Sequence, residues 1–252
     1  MAGVAEMKGV KARAVAAQTR VELMLTLRRG ESLIVTLVVP LGVLVFFSKV
    51  DAVNTTMPHP VDFLVPGVLA LAVMSSAMVS LGIATGFERR YGVLKRLGST
   101  PLSRAGLLAA KTVTVLLLEI LQATVIVLTG VALGWEVNGG LVGAVVLLLI
   151  GTIAFAGIGM LMAGTLRAEA NLAAANGLFL VLLFLGGMAY PLAKLPDALE
   201  TFAKALPAAA LSETVRSVLT PGVAFPTGEL AVLVIWAVAA PLLATRYFRW
   251  EE

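Results

Sequence analysis

The sequence of 252 residues contains no cysteine and a single histidine, His59. Without cysteine the chain cannot form a disulfide, a thiolate metal site or a cysteine nucleophile. A single histidine between two prolines is typical of a loop, and it leaves little for a metal centre or a serine–histidine triad. The motifs Gly-x-x-x-x-Gly-Lys-Ser/Thr and His-Glu-x-x-His are absent as well. The sequence therefore predicts no ATP site, no metal, no cofactor and no catalytic residue in this chain.

Charge is also scarce: 13% of the residues are charged, 59% are apolar, and the mean hydropathy is +0.97. These values place the chain in the membrane class, with lipid as its surroundings. The net charge of +4 does not indicate a nucleic-acid partner, because the charges cluster at the ends of apolar runs, where membrane orientation explains them. No cleavable signal peptide is expected, since no small-residue cleavage pattern follows the first apolar run, which begins near Leu33.

Long apolar runs predict an all-α membrane protein with six transmembrane helices. The predicted spans cover residues 33–48, 63–86, 106–134, 141–166, 172–190 and 230–247. The first run is short and is interrupted by Pro40, so a kinked helix is expected there. The fourth run carries small residues that allow close approach of another helix, namely Gly151, Gly157, Gly159, Ala163 and Gly164.

Two further segments have amphipathic patterns. Residues 8–29 predict an interfacial helix, and residues 195–219 predict two short helices, re-entrant or interfacial, that follow Pro196 and Pro207. Fifteen Lys and Arg residues fall in the N-terminal segment, in alternate loops and in the C-terminal tail, against four in the other loops. By the positive-inside rule, both termini and the loop at residues 88–104 are expected in the cytoplasm, and the 195–219 helices outside.

The loop at residues 88–104 reads ERRYGVLKRLGSTPLSR. On a helical projection its large apolar side chains share one arc and most of its basic side chains lie opposite. Gly98 is expected to end this short helix, and Thr100 and Pro101 are expected to cap and begin the next one. Such a corner could pack on lipid headgroups or be gripped by a soluble partner. A charged loop that only fixes the topology is the third interpretation.

The loop resembles the cytoplasmic loop of the ATP-binding-cassette type-2 permeases, in its acidic residue and arginines, its Gly-x-Leu-Lys-Arg-Leu and its Thr-Pro-Leu-Ser-Arg. The segment PLAKLPDALETFAKALPAAALSETVRSVL is similar to the external helices before the last span of the same permeases. In that family the loop is a coupling helix that docks on the ATPase. The resemblance implies docking residues at Glu88, Arg89, Arg90, Tyr91, Leu94, Lys95, Arg96, Leu97, Thr100 and Pro101.

The resemblance implies a permease subunit in the bacterial cell membrane that moves a hydrophobic or amphipathic substrate outward, such as a drug, a lipid or a lipid-linked glycan. A separate cytoplasmic ATPase, with ATP and Mg bound to it, would drive transport. A second permease, either a copy or a paralogue, would complete the complex. The segment at residues 8–29 would be a connecting helix that also touches the ATPase.

The third predicted span contains Glu119, the one ionisable residue deep in a predicted span, eight residues after Lys111 and near the middle of the bilayer. It is either a carboxyl group bonded to a neighbouring helix, with Gln122 one turn away, or a substrate or proton site. By analogy with the family, the transport route would lie at the permease dimer interface, near the first, second and fifth spans. Candidates for the route are Phe46, Phe47, Glu119, Asn176, Phe179 and Phe184. Two alternatives are a proton-coupled carrier that uses Glu119 and a membrane anchor that transports nothing.

Overall fold

The chain consists of helices and connecting turns in the residues that its computed structural model describes, which are 2–28, 30–49, 60–100, 102–137 and 139–250. His59 and Pro101 lie outside these residues. A π-helical segment (Met74–Ser80) joins α3 to α4, and a 3-10 turn (Leu192–Lys194) precedes α9. In chain order the helices are α1 (Ala2–Arg28), α2 (Gly30–Lys49), α3 (Pro60–Val73), α4 (Leu81–Arg90), α5 (Val93–Gly98), α6 (Arg104–Ala132), α7 (Leu141–Thr165), α8 (Ala168–Leu185), α9 (Asp197–Lys204), α10 (Pro207–Leu219) and α11 (Thr227–Tyr247).

Five helices in the described residues are long and apolar enough to cross a membrane. They are the continuous helix Pro60–Arg90, which contains α3 and α4, together with α6, α7, α8 and α11. Each overlaps a predicted span, so the multi-pass, all-helical class is confirmed. The described apolar part of α2, Leu37–Lys49, is shorter than a span. The first of the six predicted spans, residues 33–48, therefore stays a prediction.

The helix Pro60–Arg90 occupies the interior of the bundle. Twelve of the fourteen residues of α3 are buried. Apart from Asp62 in the first turn, its side chains are apolar on all sides, which suits a helix surrounded by other helices. The neighbours of α3 are α2, α6, α7 and α10. The central helix thus contacts elements on every side, and a shift of either of its ends changes several packing surfaces at once.

Glycines in α7 allow two close helix contacts, as the sequence predicted. A Cβ atom at Gly159 would lie 2.6 Å from the carbonyl oxygen of Met78, so α7 touches the backbone of the π-helical segment. A Cβ atom at Gly157 would lie 2.5 Å from the nitrogen of Pro241, where α11 packs along α7. Small residues permit such backbone contact between apolar helices, which in lipid associate through close packing.

Four segments that carry basic residues meet at one end of the bundle, which we call the basic end. They are α1, the loop at residues 88–104, the turn between α7 and α8, and the C-terminal tail. α1 packs on α6, and Arg104 Nη1 donates a hydrogen bond of 3.5 Å to the Arg246 carbonyl oxygen. The backbone nitrogen of Arg249 donates to the carbonyl oxygen of Gly164 over 3.1 Å. The segments that the charge count assigned to one side of the membrane thus lie together.

The opposite end is closed by α10, which was predicted as a re-entrant or interfacial helix. Eleven of its thirteen residues are buried, and it packs against α3, α7 and α11. Its Arg216 donates to the Gly187 carbonyl oxygen over 2.6 Å and pairs with Glu213, and its guanidinium lies 3.9 Å from the ring centre of Phe63. α10 is therefore an inserted helix of the bundle.

Candidate functional site

The loop at residues 88–104 joins α4 to α6 through a sharp corner. α4 ends at Arg90, and Gly92 has a φ of 73°, a left-handed conformation that glycine adopts without steric cost. The short helix α5 follows and ends at Gly98, as the sequence predicted. α6 begins at Arg104, because the hydroxyl of Ser103 accepts a hydrogen bond of 3.1 Å from the backbone nitrogen of Gly106. The helix thus starts after the predicted cap at Thr100.

The predicted docking residues divide into exposed and buried groups. Tyr91 is 72% exposed, and Val93, which the sequence did not single out, is 43% exposed. The exposed group also contains Arg90, Lys95, Arg96 and Thr100. Leu94 is fully buried, Arg89 is 4% exposed, and Glu88 and Leu97 are partly buried. The loop therefore presents a basic and partly apolar surface and keeps Leu94 and Arg89 for its own packing.

A buried lysine ties this loop to α1. Lys111, near the start of α6, is 1% exposed, and its Nζ lies 2.8 Å from Glu22 Oε1 and 2.8 Å from Glu88 Oε2. Glu22 comes from α1, and Glu88 comes from the last turn of α4. A buried ammonium group requires such carboxylate partners, because transfer out of water without them is costly. The sequence offered acids and a lysine at span ends, but it could not pair residues 89 positions apart.

A cavity of about 530 Å³ lies beside this cluster. Glu22, Glu88 and Lys111 line it at the basic end, and Ser76 and Gln122 line it deeper in the bundle. Its walls are mainly apolar and include Val79, Ile83, Ala84, Phe87, Val115 and Leu118. Lys111 and Gln122 are eleven residues apart on α6, which corresponds to ~16 Å along the helix. The cavity is therefore long, apolar along its walls and polar at both ends.

The π-helical segment places a serine at the deep end of this cavity. Ser76 Oγ donates a hydrogen bond of 2.7 Å to Gln122 Oε1, and this bond joins the central helix Pro60–Arg90 to α6. π-helical turns are rare and are frequent at functional sites. The periodicity of the sequence did not reveal this segment, because one altered turn inside a long apolar run leaves no recognisable pattern.

Glu119 lies in a second, smaller cavity of about 90 Å³ between α3, α6 and α7. Its side chain is 8% exposed, and its Oε2 accepts a hydrogen bond from the hydroxyl of Thr152 on α7. The structure thus provides the neighbouring helix that the structural interpretation of Glu119 required. Within the described part of the chain, no group of three His, Cys, Asp or Glu residues is placed to hold a metal ion.

The remaining candidates for the transport route lie away from both cavities. Phe46 and Phe184 are 60% and 70% exposed on the outside of the single chain. Phe47 and Phe179 are partly buried, and Asn176 Nδ2 donates to the carbonyl oxygen of Leu172, one turn earlier, over 2.8 Å. Of the six predicted residues, Glu119 alone lines one of the two cavities.

This arrangement of apolar helices, with basic segments gathered at one end, agrees with the comparison to known proteins. The model of the ABC-2 type transporter family matches residues 13–220, so the chain belongs to that family, whose members are membrane subunits of transporters. A curated relative, "Putative transport permease YvfS" of Bacillus subtilis (strain 168), is 24% identical over 246 residues, which cover 93% of this chain and 96% of the relative. The chain is thus a transmembrane permease of the ABC-2 type.

Proposed function

We propose that this permease is the membrane subunit of an exporter and that a separate ATPase docks on the loop at residues 88–104. The observation that carries the proposal is the exposed surface formed by Tyr91, Val93, Lys95 and Arg96 at the tip of a helix that runs through the centre of the bundle. A partner bound to this tip pushes or pulls directly on the central helix. ATP and Mg belong to the partner.

The proposed substrate is hydrophobic or amphipathic. Support comes from the 530 Å³ cavity, whose apolar walls suit an acyl chain or a ring system and whose two polar ends suit a headgroup. Entry is proposed from the basic end, where Glu22, Glu88 and Lys111 lie. This end faces the cytoplasm in the proposed orientation, with both termini on that side of the bacterial cell membrane.

A second permease, a copy or a paralogue, is proposed to complete the transport route. The support is the exposure of Phe46 on α2 and Phe184 on α8, two of the predicted route residues, on the outside of this chain. Large aromatic side chains in such positions suit contact with another permease as well as with lipid. The route between two permeases and the cavity within one are then parts of one path.

Co-purification from the native membrane tests the ATPase proposal. The variant Tyr91→Asp, Val93→Asp places two carboxylates on the exposed surface, and we expect at least about a tenfold loss of recovered ATPase, since burying unpaired charge in an interface costs well over 1.4 kcal/mol. Leu94 is unsuitable for this test, because a carboxylate at a fully buried position would disrupt the loop itself.

The matched control is Leu199→Asp, Phe202→Asp on α9, where the side chains are 45% and 56% exposed outside the loop. This variant should retain the ATPase at the level of the parent. Absence of any ATPase from the parent preparation, under several mild detergents, would refute the proposal. Equal loss from both variants would assign the effect to general damage of the protein.

A further inference from the structure

The turn between α7 and α8 packs directly on the end of α4 that carries the docking loop. Arg89 donates a hydrogen bond to the carbonyl oxygen of Leu166, the residue after α7. Arg90 forms an ion pair with Glu169 in the first turn of α8. Arg89 is 4% exposed, so its contact lies inside the protein, whereas the Arg90 pair lies at the surface.

Asn171 makes a third link, one turn deeper. It is fully buried, and its Nδ2 donates a hydrogen bond of 2.8 Å to the carbonyl oxygen of Gly82 in α4. The space that its side chain occupies exists because residue 86 is glycine: a Cβ atom there would lie 2.6 Å from Asn171 Nδ2. The asparagine side chain therefore packs directly against the backbone of α4, because Gly86 has no side chain at that point.

The three links span α4 from Gly82 to Arg90, which is ~12 Å of helix. They join one side of α4 to Leu166, which follows α7, and to Glu169 and Asn171 in the first turn of α8. A helix held to another at both ends of such a contact cannot tilt without carrying its neighbour along. The backbone acceptor at Gly82 matters here, because a helix carbonyl moves only when the whole helix moves.

We propose that Asn171 is a positioning residue that makes α4 and the beginning of α8 move as one body. Movement of the docking loop then reaches α8 through α4, in addition to α6, which continues the loop. The inference rests on the proposed function, because it presumes that an ATPase moves the loop.

Spin labels test the proposal, and the absence of cysteine from the chain makes a single introduced cysteine its only thiol. One reporter is Val181→Cys near the end of α8, and the other is Val131→Cys in the last turn of α6; both side chains are about half exposed, at 50% and 49%. The EPR spectrum of each label is recorded in the co-purified complex, with and without ATP and vanadate, and the spectrum of the identically treated complex without an introduced cysteine is subtracted, because thiols of the ATPase also react with the label. In the parent background we expect both spectra to change.

In the Asn171→Ala background, we expect the response at residue 181 to be lost while the response at residue 131 and ATP hydrolysis persist. The control Leu172→Ala, at the adjacent position with a side chain that is 38% exposed, should keep both responses. A response at residue 181 that survives Asn171→Ala overturns the inference, and so does loss of both responses. Failure to recover any ATPase with the parent refutes the proposed function instead, so the two failures are distinguishable.

A second test uses the pair Gly86→Cys, Asn171→Cys, in which a disulfide takes the place of the Asn171 contact. A Cβ atom at residue 86 lies 3.6 Å from the Cβ atom of residue 171, within the range of a disulfide. A disulfide between them locks α4 to α8. If the two move as one body, the oxidised complex hydrolyses ATP at the rate of the parent. Inhibition by oxidation that a reductant reverses would show that the helices must separate, and would overturn the inference.

Discussion

Lys111 shows how one side chain can join three parts of a membrane protein. Its ammonium group is held by a carboxylate from α1 and another from the end of α4, at 2.8 Å each. The lysine is almost fully buried, whereas Glu22 and Glu88 keep 14% and 26% of their side-chain surface exposed. The ion pairs therefore offset a larger desolvation cost for the lysine than for the two acids, which stay partly exposed.

Removal of the Lys111 charge should destabilise the protein more than removal of the whole cluster. Lys111→Met leaves two carboxylates close together without their cation, and breaking a buried pair in this way costs about 3–5 kcal/mol, less here because the acids are partly exposed. The triple variant with Glu22→Gln and Glu88→Gln should recover much of that loss. The melting temperature of a fluorescent fusion in detergent measures the effect, and a triple variant less stable than Lys111→Met would contradict the expectation.

Glu119 should behave as a structural acceptor. Glu119→Gln retains an oxygen that can accept the Thr152 hydroxyl, so its melting temperature should match the parent, whereas Glu119→Leu should lose on the order of 1 kcal/mol. Equal stability of the Leu variant would show that the bond contributes nothing. In a proton-coupled carrier, Glu119→Gln would abolish transport although the protein remained stable, so transport by a stable Gln variant would exclude that alternative.

At the scale of helices, contact between backbones decides the arrangement. α7 crosses the π-helical segment and α4 with no side chain between them. A Cβ atom at Gly82 would lie 3.1 Å from the carbonyl oxygen of Gly159. α10 packs closely on α7 where α7 has glycines: a Cβ atom at Gly151 would lie 2.6 Å from Leu211, and one at Gly143 would lie 2.9 Å from Val218. Helix diameter, and not hydrophobicity alone, thus determines which elements are inside.

Gly159→Ala should destabilise the protein, and Gly177→Ala should not. The added methyl group at residue 159 would lie 2.6 Å from the carbonyl oxygen of Met78. A methyl group added at residue 177 would have no neighbouring atom of the protein within 4 Å. Overpacking costs about 1–3 kcal/mol, whereas alanine in an open helical position gains up to ~1 kcal/mol over glycine. Thermal unfolding of both variants in one detergent measures the difference. A Gly159→Ala protein as stable as Gly177→Ala would place the two helices further apart than described.

At the scale of the whole molecule, the basic segments gather at one end and α10 closes the other. This separation is what the positive-inside rule predicts for a protein with both termini in the cytoplasm. The same arrangement requires an even number of spans. Five candidate spans are found in the described residues. Whether α2 also crosses the membrane therefore determines the side on which the N-terminus lies.

Reporter fusions test this orientation. Green fluorescent protein should fluoresce at either terminus, and alkaline phosphatase should be active when fused after Glu136 or after Leu199, because it requires export. Phosphatase activity after Ser99 should be low, since that loop is predicted to be cytoplasmic. An N-terminal fusion that remains dark while the C-terminal fusion fluoresces would show that α2 does not cross, and that the chain has five spans.

Particular residues show how far the sequence could be interpreted. The apolar runs located five spans to within a few residues, and Gly98 marked the end of α5. One amphipathic helix was expected across residues 87–97, but the left-handed Gly92 divides it and turns Tyr91 outward while Leu94 points inward. A helical projection assumes an unbroken helix, so it could not separate these two residues.

The sequence by itself determined the membrane class, the positions of the long apolar helices, the segments in which basic residues concentrate and the resemblance of the loop at residues 88–104, because each depends on residues that are neighbours in the chain. The tertiary structure alone decided that Lys111 joins Glu22 to Glu88, that Ser76 meets Gln122, and that Asn171 fits against Gly82. These contacts join residues 23 to 89 positions apart. Local periodicity contains no information about such pairs. They form only when two helices pack closely enough for two polar groups to be buried and to bond to each other.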